Sequence, residues 1–314
     1  MNGLSPMMNK MIRSTALIVV VVFGVASIIA SNGDDEPSLS TIVFHSDEPG
    51  PNSIYSIDAS GSNLKRLTTP PAQAEDTFPV WSRDRKKIVF QRTTGNNSEI
   101  YLMNWDGSDQ QNLSNNPAAD ASPAWSPDGN KLAFASTREG NWRIFVLNMA
   151  NNMVSRLTGE DGDAQWPTWS PKSDKIAYER SVSGMGQDIY VINTSGGSNP
   201  INLTADSDWP ARFPAWSPIE EPSVPSQIAY LNIGTGGTQI WLMDPNGAHK
   251  KQLTFPVGVI GQVFSRPAWS ALGDRLVYPT DREGPHELYT IVAKDGSDIT
   301  RVTQSSAREG GPDW

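Results

Sequence analysis

The side chains in this sequence with chemistry to offer are three histidines, His45, His249 and His286, set among 34 aspartates and glutamates. Cysteine is absent, which excludes disulfides, thiolate-held zinc and cysteine nucleophiles. The nucleophile elbow Gly-x-Ser-x-Gly, the zinc motif His-Glu-x-x-His, the P-loop and the Rossmann glycine fingerprint are missing too. Two histidines each have an aspartate close by, His45 with Asp47 and His286 with Asp281. Two imidazoles and two carboxylates, if a fold brought them together, could hold a metal ion or move protons. Kept apart, they are scattered surface groups. Asp161-x-Asp163 and Asp206-x-Asp208 space their carboxylates as Ca²⁺ ligands often are, yet neither continues as a full calcium loop. No catalytic residue and no metal ligand is assigned on this evidence, and Ca²⁺ is the one cofactor candidate.

Charge narrows the partners. The formal net charge is −9, from 25 Lys+Arg against 34 Asp+Glu. That is the wrong sign for nucleic acid or an anionic membrane surface, which are held by clustered cations that release counterions. At the N-terminus Lys10 and Arg13 precede an uncharged apolar run over residues 16–30, and Asp34, Asp35 and Glu36 follow it. Positive charge before such a run and negative charge after it places the rest of the chain outside the cytoplasm. The run is long for a signal-peptide core and short for a spanning helix, and Gly24-Val25-Ala26 offers a small-x-small cleavage site. Residues 1–30 are therefore read as a signal peptide or a membrane anchor, and residues 31–40 as a polar linker. The protein is expected to be periplasmic or at the cell surface, secreted or held by that one helix.

The elements that must position everything else are written in a repeat. Pro-x-Trp occurs six times, at Pro79, Pro123, Pro167, Pro214, Pro267 and Pro312, at intervals of 44 to 53 residues. After each of the first five comes a turn, plainest as Ser126-Pro127-Asp128-Gly129, and then an apolar strand such as Leu132-Ala133-Phe134 or Ile176-Ala177-Tyr178. A third strand follows, for example Ile100-Tyr101-Leu102-Met103, ending in a hairpin turn such as Asp106-Gly107 or Asn246-Gly247. Leu-Thr or a near variant closes each unit, from Leu67-Thr68 to Val302-Thr303. The first unit lacks its Pro-x-Trp strand, while Pro312-Asp313-Trp314 stands alone at the C-terminus. A ring accommodates both facts, with the last strand completing the first blade and no sheet edge left open. The expected fold is all-β: a six-bladed β-propeller of four-stranded antiparallel blades over residues 41–314, closed by the C-terminal strand. The motif tryptophans are expected between blades, as core.

The unit Pro-Ala-Trp-Ser-Pro-Asp-Gly-x-x-Leu-Ala-Phe-x-Ser-x-Arg-x-Gly, from Pro123 to Gly140, resembles the propeller repeats of the TolB family. All six units share it. The resemblance implies an extracytoplasmic propeller that binds partner proteins through one face. TolB itself carries an α/β domain before its propeller. Only residues 31–40 separate the apolar run from the first strand here, so a propeller without that domain is expected.

Strand alternation sorts the loops by face. First-to-second and third-to-fourth turns emerge on one side with short repeat-like sequences, and are read as structural. Second-to-third and interblade loops emerge on the other, longer and less regular, where binding residues commonly sit. By repeat position His45 and His286 lie there on adjacent blades. The interblade stretches carry Glu75, Asp76, Asp120, Glu160, Asp161, Asp163, Asp206, Asp208 and Glu309, interleaved with Phe78, Trp166, Trp209, Phe213 and Phe264. The residues expected to contact a partner are Trp166, Trp209 and Phe213, with Arg212, Arg266, Asp163 and Asp208 as polar contacts. The function expected is that of a non-catalytic, monomeric binding module for a protein, peptide or glycan. The alternative is a carbohydrate-active enzyme, a lyase or hydrolase, with its site in the propeller funnel.

Overall fold

The computed structural model describes residues 36–159, 161–182, 186–195, 199–220, 226–255 and 263–314. Residues 1–35, which include the stretch expected to be a signal peptide or anchor, and Glu160 lie outside the described residues. Six four-stranded antiparallel sheets form the propeller unit, Pro37–Trp314. Blade 1 runs, from the axis outward, Glu309–Asp313, Thr41–Ser46, Ser53–Asp58 and Lys65–Arg66. Blade 2 is Ala74–Trp81, Lys87–Thr94, Asn97–Asn104 and Gln111–Asn112, and blade 3 is Asp120–Trp125, Lys131–Ser136, Arg143–Asn148 and Val154–Arg156. Blade 4 follows as Asp163–Trp169, Lys175–Val182, Gly186–Asn193 and Ile201–Asn202. Blade 5 is Ala211–Trp216, Ile228–Gly234, Gly237–Met243 and Lys251–Gln252; blade 6 is Ala268–Trp269, Arg275–Thr280, Glu287–Val292 and Thr300–Arg301. Each inner strand packs on the next and the sixth on the first, so the ring is closed. The expected closure is what forms: Val43 pairs with Asp313 and His45 with Gly310.

The repeated residues have repeated jobs. In every blade the hydroxyl of the Leu-Thr unit accepts a backbone N–H from the first half of the third strand. Ile54 bonds Thr68, Ile100 bonds Ser114, Ile144 bonds Thr158, Ile189 bonds Thr204, Ile240 bonds Thr254 and Leu288 bonds Thr303, all at 2.8–3.0 Å. The short outer strand runs out at this point, and the hydroxyl supplies the acceptor that the ladder no longer provides. The serine after each of the first five motif tryptophans does the equivalent at the first turn, where Ser82, Ser126, Ser170, Ser217 and Ser270 accept from the residue at or just before the start of the second strand.

Packing runs between blades. Trp169 sits on Ala133 and Ala135 of blade 3 and donates its indole N–H to the Ala124 carbonyl at 3.0 Å; Trp269 does the same to Ala215 of blade 5 at 2.9 Å. Hairpin glycines complete the contact. Gly107, at φ 91°, lies so close to the Leu67 carbonyl of blade 1 that a Cβ would overlap it, and Gly247 and Gly296 meet Leu203 and Leu253 likewise. Only glycine combines that φ with that approach.

Candidate functional site

In five blades the inner strand starts before the Pro-x-Trp motif, with a bulge just before the motif proline. The bulged residue adopts a left-handed backbone at Phe78, Ser122, Trp166, Phe213 and Gly311, with φ between 50° and 55°. Such a conformation in a bulky residue persists only where its surroundings hold it. Here they are one another. The Trp166 ring packs edge-on against Phe213 of the next blade and Phe78 of blade 2, both at 4.8 Å, and Phe78 packs edge-on against His45 at 5.0 Å. Blades 2 and 4 are not neighbours, so the Phe78–Trp166 contact crosses the axis. The intervening blade contributes only Ser122. Blade 1 contributes Gly311, where a Cβ would stand 2.6 Å from the Phe78 ring. Large rings from blades 2, 4 and 5 thus meet at the axis, with a small residue on blades 1 and 3.

On the turn side of this aromatic floor the channel widens into a cavity of about 350 Å³. Its walls are the Pro-x-Trp-Ser segments, with all six motif tryptophans among the lining residues. Arg85, Arg266 and Asp313 also line it. The Asp313 carboxylate accepts the Trp81 backbone N–H at 2.8 Å, and the Arg85 guanidinium lies 4.5 Å over the Trp81 ring. Burial pushes the Asp313 carboxyl up and brings Arg85 down to about 10. This cavity lies on the side with the tight turns, the side whose sequences read as structural.

The residues singled out from sequence divide between three places. Trp166 and Phe213 form the floor. Arg266 reaches the cavity, where it donates to the Pro79 carbonyl at 3.1 Å. Arg212 lies 4.6 Å over the Phe213 ring and donates to the buried Glu179 at 3.1 Å, bracing the floor from the next layer. Asp163 accepts the Trp142 backbone N–H at 3.1 Å. Trp209 and Asp208 remain on the loop face; Trp209 is 44 % exposed and lies beside the Gly234 hairpin of blade 5. Phe264, 41 % exposed, stacks flat on His286 at 3.8 Å.

Several acids expected in solvated loops belong instead to strand starts. Asp76 and Asp120 are wholly buried and pair with Arg92 at 2.6 Å and Arg138 at 3.0 Å in their own blades. The alternation of acids with aromatics could have found them, because each Arg sits on the same blade's second strand or the turn after it. Glu309 is another of these interblade acids, and nothing in the sequence sets its neighbour Glu287 apart. Both are buried at the junction of blades 6 and 1, and each has one oxygen without a protein donor. Burial raises Glu309 to about 7, and the Glu287 charge adds to it. His45 moves the other way, to about 4, through burial and then the Arg266 charge, with Asp47 opposing. Among the described residues no three histidines, aspartates or glutamates converge as a metal centre.

Residues 78–254, over half of the chain, match the TolB beta propeller domain family. The chain belongs to the TolB β-propeller family. No curated protein sequence matches it. Among solved structures, TolB from Acinetobacter baumannii superposes with a TM-score of 0.75 at 19 % identity, covering 88 % of this chain and 66 % of that one. The chain therefore spans just under two thirds of that TolB. A putative TolB from Agrobacterium tumefaciens gives 0.55 at 21 % identity, covering 74 % and 87 %. An oligogalacturonate lyase from Vibrio parahaemolyticus gives 0.56 at 12 %, covering 85 % and 75 %. At these identities the structures speak for the fold alone, and the TolB assignment rests on the family match.

Proposed function

We propose that this TolB-family propeller is a non-catalytic binding module, extracytoplasmic by its export segment, whose loop face takes a protein or peptide partner. The observation that carries the reading is the exposed aromatic pair on that face. Trp209 and Phe264 flank the blade 5 hairpin, since Trp209 touches Gly234 and Val263 donates to the Thr238 carbonyl at 3.1 Å. Exposed Trp and Phe on a rigid scaffold bind strongly for the little conformational entropy they lose, and they dominate interface energies. The Phe78–Trp166–Phe213 rings add an apolar cluster at the axis, and Asp208 supplies an exposed negative charge next to Trp209. The relation to TolB favours a protein over a glycan.

The test compares two paired substitutions in affinity capture from envelope extracts. Trp209→Ala with Phe264→Ala should abolish capture while the circular dichroism spectrum stays unchanged. Lys86→Ala with Lys172→Ala, on the first-to-second turns of blades 2 and 4, should leave capture intact. The opposite pattern would assign binding to the other face. Chelator-sensitive turnover of an acidic polysaccharide would replace this reading with an enzymatic one.

A further inference from the structure

The two faces of the propeller differ in their free charges. Every lysine after residue 40 stands in a first-to-second or third-to-fourth turn or opens the strand that follows one, from Lys65 and Lys86 to Lys251 and Lys294. The loop face has none. Its arginines are mostly held by the propeller's own carboxylates: Arg92 by Asp76, Arg138 by Asp120, Arg180 by Asp161 and Arg212 by Glu179. Such pairs add no net charge. Carboxylates without a cation remain. Asp208 and Glu48 are exposed, and among the described residues neither carboxylate has a hydrogen bond or an ion pair. Asp47 and Glu75 accept from neutral donors, the Arg308 backbone N–H at 2.8 Å and the Asn52 amide at 3.3 Å. The loop cations outside ion pairs are Arg282 and Arg308, since Arg266 turns into the cavity.

These acids flank the exposed aromatic pair. Asp208 precedes Trp209 in the chain, and Asp47 and Glu48 follow on blade 1, beyond Phe264 and the His286 ring stacked on it. Resting on the loop-face reading above, we infer that the partner segment seated there is cationic, an extended stretch of another protein rich in lysine and arginine. Long basic side chains lay their methylene stems on indole and phenyl rings, whose faces attract the charge, and carry that charge on to a carboxylate. An apolar segment would bury Asp208 and Glu48 without compensation, and an acidic one would be repelled. A metal ion finds no set of three converging ligands among the described residues. The lysine-bearing turns of a second copy have matching charge, and the test separates them from a different protein.

The experiment titrates the full-length chain with two fluorescein-labelled peptides of one Gly–Leu frame, one with interspersed lysines and the other with glutamates in their places. Anisotropy reports on binding. The lysine peptide should saturate and bind at least about tenfold more tightly at low salt, the gap closing as salt rises. Asp208→Lys and Trp209→Ala, both at exposed positions, should each weaken it about tenfold. Glu220→Lys makes the same change of sign on the first-to-second connection of blade 5 and should alter affinity less than about twofold. Equal affinity for the two peptides, indifference to Asp208→Lys, or an equal response to Glu220→Lys would each overturn the inference. Sedimentation of the chain alone at low salt should show a monomer; head-to-tail growth would give the face to a second copy and overturn it as well. The loop-face reading fails separately. Envelope capture that survives Trp209→Ala with Phe264→Ala sinks both, whereas capture lost in that pair but unmoved by Asp208→Lys and by salt sinks the cationic partner alone.

Discussion

Two titratable side chains near the junction of blades 6 and 1 pull stability in opposite directions as pH changes. Glu309 has its folded value raised from 4.5 to about 7, so the folded state holds a proton that the unfolded chain releases. Its contribution is present below about 4.5 and is lost as pH rises to 7. His45 is lowered from 6.5 to about 4, so the unfolded chain holds the proton, and stability rises between those values. Across pH 4.5–6.5 the two effects oppose each other. Glu309→Gln keeps the shape and removes the falling component. Denaturant melts of this variant should therefore gain stability relative to the natural chain as pH goes from 5 to 7. A constant difference across that range would show that Glu309 does not titrate there.

Within a blade, the Leu-Thr signature is a hydrogen-bond device, and its threonine lies just past the end of the outer strand. The Ile144 N–H is fully buried, and its acceptor is Thr158 Oγ1 at 3.0 Å. Thr158→Val preserves shape and β-branching but removes the acceptor, and should cost about 1–3 kcal/mol. Thr158→Ser keeps the oxygen and should retain most of the stability. Equal losses in the two variants would mean that packing, and not the hydroxyl, explains the signature. The same reasoning covers Ser114 in blade 2, where serine serves without the methyl group.

The ring as a whole depends on a strand supplied from the far end of the chain. Glu309–Asp313 pairs with Thr41–Ser46, Asp313 accepts the Trp81 N–H of blade 2, and Trp314 donates to the Leu39 carbonyl at 3.1 Å. Removing residues 309–314 would expose the ladder edge of blade 1 and strip the Phe78 ring of its neighbour Gly311. A loss of about 5 kcal/mol or more is expected, enough to consume much of a domain's stability. Thermal melting should show a lower and broader transition. An unchanged melting temperature would mean that the five remaining blades hold without closure.

Local chemistry repeated six times was legible in the sequence, because the turns, the Leu-Thr closures and the alternation act over a few residues and leave a period. Blade number and closure followed from counting units and noticing one strand missing at the start and spare at the end. The axis was not legible. Trp166 and Phe213 look like loop aromatics until the bulges at these residues turn them inward, and Phe78 and Trp166 lie 88 positions apart in the chain yet touch across the channel. Arg266 looks like an interblade contact until the ring carries it to Arg85 and Asp313. Asp76 and Asp120 look solvated until their arginines bury them. Convergence at the centre of a ring depends on where distant blades place their side chains, and a pattern confined to one repeat holds no information about what stands opposite.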